Sequence, residues 1–237
     1  MTNNKQMKIL KDTLASRRFT GLLTDLDGTL IHSQNAICDA LFDSFAHVGA
    51  RVPSKQEILD MFGLPVEVML MQLSGVDPAD KATIDEFIAE YKRQYPPHMA
   101  EGATLIANAK ETVDSIAAAG FPVCLITSER RDNAKFIMQT LGLSDSIKYL
   151  VSRDDVTRFK PDPEPLEIAM KLIGKKPEEC AYIGESPFDI DAGVASVAYV
   201  VAVASGNWSA ESLLKCKPDV ILDDISELLP LFHIFSD

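Results

Sequence analysis

Asp25 and Asp27 stand one residue apart at the end of an apolar run, Gly21-Leu22-Leu23-Thr24, and Gly28 follows them. Side chains at i and i+2 of a strand point the same way, so both carboxylates project from one side of the strand's C-terminal end. Gly28 lets the backbone turn away sharply. Two acids held this close repel each other, and a positive group between them relieves the repulsion. A hard dication with oxygen ligands, Mg2+, is the simplest such group. A bare Asp-x-Asp otherwise reads as a strand end with two solvated acids, since acids are common in turns. Downstream, Thr127-Ser128 precedes a helical stretch, where a hydroxyl beside free amides cradles phosphate, although Ser and Thr are also ordinary helix caps. Glu185 and Asp189, four apart at a strand-to-helix turn, can share one ion or simply favour a helix start. Lys160, just before Pro161, reads by itself as a surface cation.

These residues need elements to position them. From residue 101 onward short apolar runs alternate with helical patterns. Strands are expected near Phe19–Asp25, Phe121–Thr127, Ile147–Val151, Cys180–Gly184, Ala198–Val203 and Asp219–Leu222. Helices are expected over Leu105–Ala119, Arg130–Leu141, from Pro163 to Gly174 and from Pro187 to about Val197, several ending at a glycine that stops a helix. Near-continuous apolar strands alternating with helices predict an α/β fold, a doubly wound, Rossmann-like parallel sheet with ligands at the strand C-termini. For Asp25, Thr127 and Glu185 to meet, strand 1 must lie between strands 2 and 4. That gives the order 3-2-1-4-5 and leaves strand 6 a place outside strand 5.

Residues 33–100 differ. Four helical groups, around Ala36–Val48, Ile58–Phe62, Val66–Leu73 and Ile84–Tyr91, are separated by Gly49, Pro53, Pro65, Gly75 to Pro78 and Pro96-Pro97, with no alternating strand pattern. A four-helix module inserted straight after the Asp-x-Asp strand predicts a lid. The expected division is an α/β core of residues 1–32 and 101–237 with a helical cap of 33–100. Hinges are expected near His32-Ser33 and Met99–Glu101. His32 is a plain hinge residue or a substrate contact. Lys5–Ser16 reads as a short amphipathic helix ahead of the core.

The chain has 237 residues, 46% of them hydrophobic, enough for a large core and a satellite. Its net charge of −12 argues against nucleic acid or an anionic membrane as partner. Cys38, Cys124, Cys180 and Cys216 form no Cys-x-x-Cys pair and read as reduced structural thiols. No signal peptide or membrane span is apparent, so a cytoplasmic protein is expected.

The string Asp25-Leu26-Asp27-Gly28-Thr29 after an apolar strand resembles the first motif of the haloacid dehalogenase superfamily, mostly phosphatases. Lys160-Pro161-Asp162-Pro163-Glu164-Pro165 resembles its third motif, Thr127-Ser128 its second, and Gly184-Glu185-Ser186-Pro187-Phe188-Asp189 its fourth, with Glu185 where Asp is usual. The helical insert is placed like the small (C1-type) cap of phosphoglycolate-phosphatase-like members. The resemblance implies Asp25 as nucleophile, Asp27 as general acid and base, and Lys160 as neutraliser of nucleophile and phosphoryl charge. It implies that Thr127, Ser128 and Lys160 hold the phosphoryl group, and that Asp25, Asp27, Glu185 and Asp189 hold Mg2+. Glu129, where small or basic residues are usual, is expected to point away from the phosphate. The implied activity is hydrolysis of a small phosphorylated metabolite, a phosphoglycolate-like monoester or pyrophosphate, through an aspartyl-phosphate. A dehalogenase does not need Asp27. A β-phosphoglucomutase-like mutase and a silent phosphate-binding regulator are the alternatives.

Overall fold

The computed structural model describes residues 18–234; the helix expected over Lys5–Ser16 lies outside them. A six-stranded parallel sheet forms the centre. Its strands are β1 (Gly21–Thr24), β4 (Val123–Ile126), β5 (Tyr149–Val151), β6 (Cys180–Gly184), β7 (Tyr199–Val203) and β8 (Val220–Leu222), in the order β5-β4-β1-β6-β7-β8. This is the expected 3-2-1-4-5 arrangement, with the sixth strand outermost beside the fifth. β1 is central and pairs with both β4 and β6 (Leu22 opposite Val123 and Ala181).

Successive residues of these strands enter different cores. Leu22, Val123, Leu125 and Ile183 pack on one face with α5 (Ala109–Ala118), α6 (Arg131–Thr140) and the C-terminal 3-10 turn Ile225–Phe232. Leu23, Cys124, Ile126 and Tyr182 pack on the other with α7 (Glu164–Ile173) and Ala192 of α8 (Pro187–Ala195). Both faces are therefore dry, and each buried Leu contributes about 1.5–3 kcal/mol. That two-sided burial is why the strands read as unbroken apolar runs rather than alternating ones. All four cysteines are free thiols. No helix among the described residues is long and apolar enough to cross a membrane.

Between the core segments lie α1 (Gln34–His47), α2 (Lys55–Leu59), α3 (Val66–Ser74) and α4 (Lys81–Gly102). Three features depart from expectation. α4 does not stop at Pro96-Pro97 but runs through both. The carbonyls that the prolines leave without partners belong to Lys92 and Arg93, which are exposed, so water can take those bonds. The opposite face buries Phe87, Tyr91, Tyr95 and Met99, one every fourth residue, and this stripe holds the helix straight on. The second is a miniature antiparallel sheet at the base of the insert. Here β2 (Ile31–His32) pairs with β3 (Thr104–Leu105), so the two chain crossings are tied together. His32 lies in β2, exposed, as part of that tie. A short helix, α9 (Ala210–Lys215), also went unforeseen.

Candidate active site

β1 ends at Thr24, and the Asp25 amide continues the ladder by donating to the Ile183 carbonyl (2.9 Å). Gly28, with φ of +79°, then turns the chain so tightly that the amides of Leu30 and Ile31 both return to the Leu26 carbonyl. Asp25 is thereby fixed between β4 and β6.

Lys160, 2% exposed, reaches this point from the loop before α7. Its ammonium donates to Asp25 Oδ1 (2.7 Å) and to Asp189 Oδ1 (2.6 Å). It is no surface cation. Asp189 Oδ1 also accepts from Tyr182 OH (2.6 Å), and its Oδ2 accepts from the Ser186 amide and hydroxyl (3.0 and 2.6 Å). Ser186 Oγ accepts in turn from the Asp189 amide, closing a capping box on α8. Asp189 is thus both a helix-start acid and an ion-pair partner, with its acceptor capacity spent. Burial would raise its carboxyl, yet Lys160 and these donors hold it below its ordinary range. Asp25 shares the same ammonium with fewer donors. Burial and the Asp189 charge push it up to about 7 against the pull of Lys160. Its Oδ2 has only the Thr29 hydroxyl, at 3.4 Å, so one carboxylate oxygen stays open.

Asp27 is held by the hydroxyl of Ser33, which donates to Oδ1 (2.6 Å). Burial first, and the Glu129 charge second, push its carboxyl up to about 7. Glu185 is buried beside Gly206, where its Oε2 accepts from the Asn207 amide (3.1 Å). Burial and the charges of Asp189 and Asp25 push it up to about 9.

Asp25, Asp27, Ser128, Glu129, Glu185 and Asp189 border one cavity of ≈ 30 Å³, room for about two waters at roughly 10–15 Å³ each. Its far wall comes from the inserted helices and their loops: Ile37, Phe62, Leu64, Val66 and Met69. Thr127 does not border it. Its Oγ1 accepts from the Glu129 amide (3.0 Å), and it lines a smaller space of ≈ 10 Å³ with Ser128, Arg153 and Lys160. Ser128 reaches across to the insert, donating to the Gly63 carbonyl.

Glu129 corrects the expectation that it points away. It is 7% exposed, borders the cavity and acts on Asp27. Its Oε1 accepts from Tyr91 OH of α4 (2.6 Å) and its Oε2 from Asn133 Nδ2 of α6 (3.0 Å). Satisfied on both oxygens, it can stay buried beside other acids. Tyr91, Asn133, Ser33 and Tyr182 carry no motif signal. For Tyr91 the one clue was its place in the every-fourth-residue stripe of α4. The hydroxyl of neighbouring Tyr95 is buried without a hydrogen-bond partner, within the influence of Glu129 and Asp27.

Do these residues suit a dication? Among the described residues, no three His, Cys, Asp or Glu side chains form a ready-made cage. Mg2+ rarely uses one; it keeps several waters and takes one or two carboxylates plus substrate phosphate. The carboxylates of Asp25 and Glu185 are hard oxygen donors, in a buried cluster where acids outnumber the one ammonium. Those residues fit Mg2+. Asp189, fully bonded, fits an indirect role.

The sequence profile of the haloacid dehalogenase-like hydrolases matches residues 22–203. The chain is 28% identical over 214 residues to a phosphoglycolate phosphatase of Pectobacterium atrosepticum, covering 89% of this chain and 91% of that one. It is 29% identical over 216 residues to the pyrophosphatase PpaX of Bacillus velezensis, covering 91% and 97%. The crystal structure of a hydrolase from Pseudomonas syringae superposes with a TM-score of 0.79 at 26% identity, over 92% of this chain and 100% of that one.

Proposed function

The chain belongs to the haloacid dehalogenase-like hydrolases and is a phosphatase, and we propose that it hydrolyses a small phosphorylated metabolite through an aspartyl-phosphate on Asp25, with Mg2+ bound. The observation that carries this reading is the Lys160 ammonium lodged between Asp25 and Asp189, which leaves Asp25 Oδ2 as the open oxygen.

Asp25 Oδ2 attacks phosphorus in line. The bond from phosphorus to the leaving oxygen breaks, and that oxygen takes a proton from Asp27. A water then gives its proton to Asp27 and attacks phosphorus, which frees phosphate and restores Asp25. One difficult displacement becomes two easier ones. With its carboxyl pushed to about 7, Asp27 has both forms at hand near neutrality, as a group that must give and then accept a proton requires. Ser33 aims it. Lys160 offsets the charge of the nucleophile and of the transferring group. Mg2+, held by Asp25 and Glu185 with Asp27 close by, would supply further positive charge to the phosphoryl oxygens. The inserted helices act as a lid that keeps bulk water out.

The test is p-nitrophenyl phosphate hydrolysis with and without Mg2+, with the phosphoenzyme trapped for mass spectrometry. Label is expected on Asp25, and Asp25→Asn is expected to lower kcat by about a hundredfold or more. Label on any other residue would overturn the assignment; no turnover under any metal condition would leave a phosphate-binding protein instead.

A further inference from the structure

The cavity has two unlike halves. Around Asp25 lie acids suited to a dication, and Lys160 donates to Asp25 from outside the lining. The opposite half, where a leaving group must lie, is made by Ile37, Phe62, Leu64, Val66 and Met69, with Glu129 at its junction with Asp27. Among the described residues, no lysine, arginine or histidine borders the cavity. Arg153 and Arg130 lie outside this lining and are paired with acids, although Arg130 Nε has no hydrogen-bond partner. Arg153 Nε donates to Glu67 Oε1 (2.8 Å), and Arg130 lies 3.6 Å from the same oxygen while its Nη1 is held by Asp154 (2.8 Å).

We propose that the substrate is a phosphomonoester whose leaving group is small, uncharged and apolar, and that esters carrying a second anion on the leaving group are disfavoured. This rests on the phosphatase reading above. A carboxylate or second phosphate entering this half would lose its water and meet hydrocarbon and a carboxyl group, with no cation to compensate. As the inserted helices open to admit it, an alkyl group would lose nothing polar and would be covered by apolar side chains. The position occupied by Glu129 is also bonded to the lid through Tyr91, so the group that turns anions away is part of the closed arrangement. Phosphoglycolate and pyrophosphate, named for two relatives, both have anionic leaving groups. The lining therefore separates this chain from its relatives' named substrates.

The test compares kcat/KM for propyl phosphate, 2-phosphoglycolate and pyrophosphate on the wild-type protein with Mg2+. Propyl phosphate is expected to exceed 2-phosphoglycolate by about tenfold or more, the scale set by one unfavourable polar contact. Leu64→Lys, which places an ammonium on the half-buried rim of the apolar wall, is expected to shift that ratio toward 2-phosphoglycolate by about fivefold or more. Higher kcat/KM for either anionic compound than for propyl phosphate would overturn the proposal while leaving the phosphatase reading intact. An unmoved ratio in folded Leu64→Lys would overturn it too. Hydrolysis of no ester, p-nitrophenyl phosphate included, would remove the phosphatase reading and this inference with it.

Discussion

Glu185 is one methylene longer than the aspartate usual in the motif it resembles, and two glycines make room for it. A Cβ on Gly28 would come within 2.7 Å of Glu185 Cγ, and one on Gly206 would collide with the carboxylate itself. The extra length folds back along Gly206 to the Asn207 amide. Gly206→Ala is therefore expected to push the Glu185 carboxylate off that amide. Ligand-orienting contacts of this kind are worth about 10–100-fold in metal affinity, so the apparent Mg2+ requirement should rise by about tenfold, read by titrating Mg2+ against activity. The thermal midpoint should change little, because residue 206 lies in a loop outside the sheet and helices. The motif was legible in the sequence, but the accommodation was not. Gly206 lies 21 positions after Glu185, and nothing local marks the two as neighbours.

At the scale of elements, the inserted helices are tied to the core by Tyr91 to Glu129, Ser128 to Gly63 and Arg153 to Glu67. Tyr91→Phe removes the donor to a buried carboxylate, a bond worth about 1.5–3 kcal/mol to the closed arrangement. Faster amide exchange is expected across α4, by roughly 10–100-fold, along with a raised KM for p-nitrophenyl phosphate. Unchanged exchange would mean that the bond does not hold the inserted helices against the core. The sheet strands were legible because burial on both faces makes them continuous apolar runs. α4 was cut short because Pro96-Pro97 is ordinarily a stop, although Tyr95 and Met99 prolong the Phe87–Tyr91 spacing past it. β2 and β3 have two residues each, too few to show any period. The ties between lid and core, like the side chains that aim Asp27 and Asp189, join residues remote in sequence and leave no pattern along the chain.

Over the whole molecule, a net charge of −12 surrounds a site in which three buried carboxyls are poorly compensated. Asp25 and Asp27 are raised from 3.8 to about 7, and Glu185 from 4.5 to about 9. The folded protein therefore holds these protons more tightly than the unfolded chain does. Their contribution to stability is full below about pH 4 and is lost as pH rises through 7 and then 9. Asp189 works the other way, in the acid range below its ordinary value. In chelator, the thermal midpoint should fall between about pH 5 and pH 9, and added Mg2+, which competes with those protons, should raise it more at about pH 8.5 than at about pH 6. Calorimetry at the two pH values checks this; an equal gain at both would contradict it. The central place of β1 has a further consequence, for the order in which the protein is made. Its partners Val123 and Ala181 come 101 and 159 positions after Leu22, and at about 5–20 residues per second the second arrives roughly 8–30 s later on the ribosome. Through that interval the helices of the insert have their local contacts, while the strand that leads into Asp25 has no partner on its β6 side. A nascent chain that stalls before Gly184 carries an uncovered apolar strand edge, a substrate for chaperones and for aggregation rather than a phosphatase.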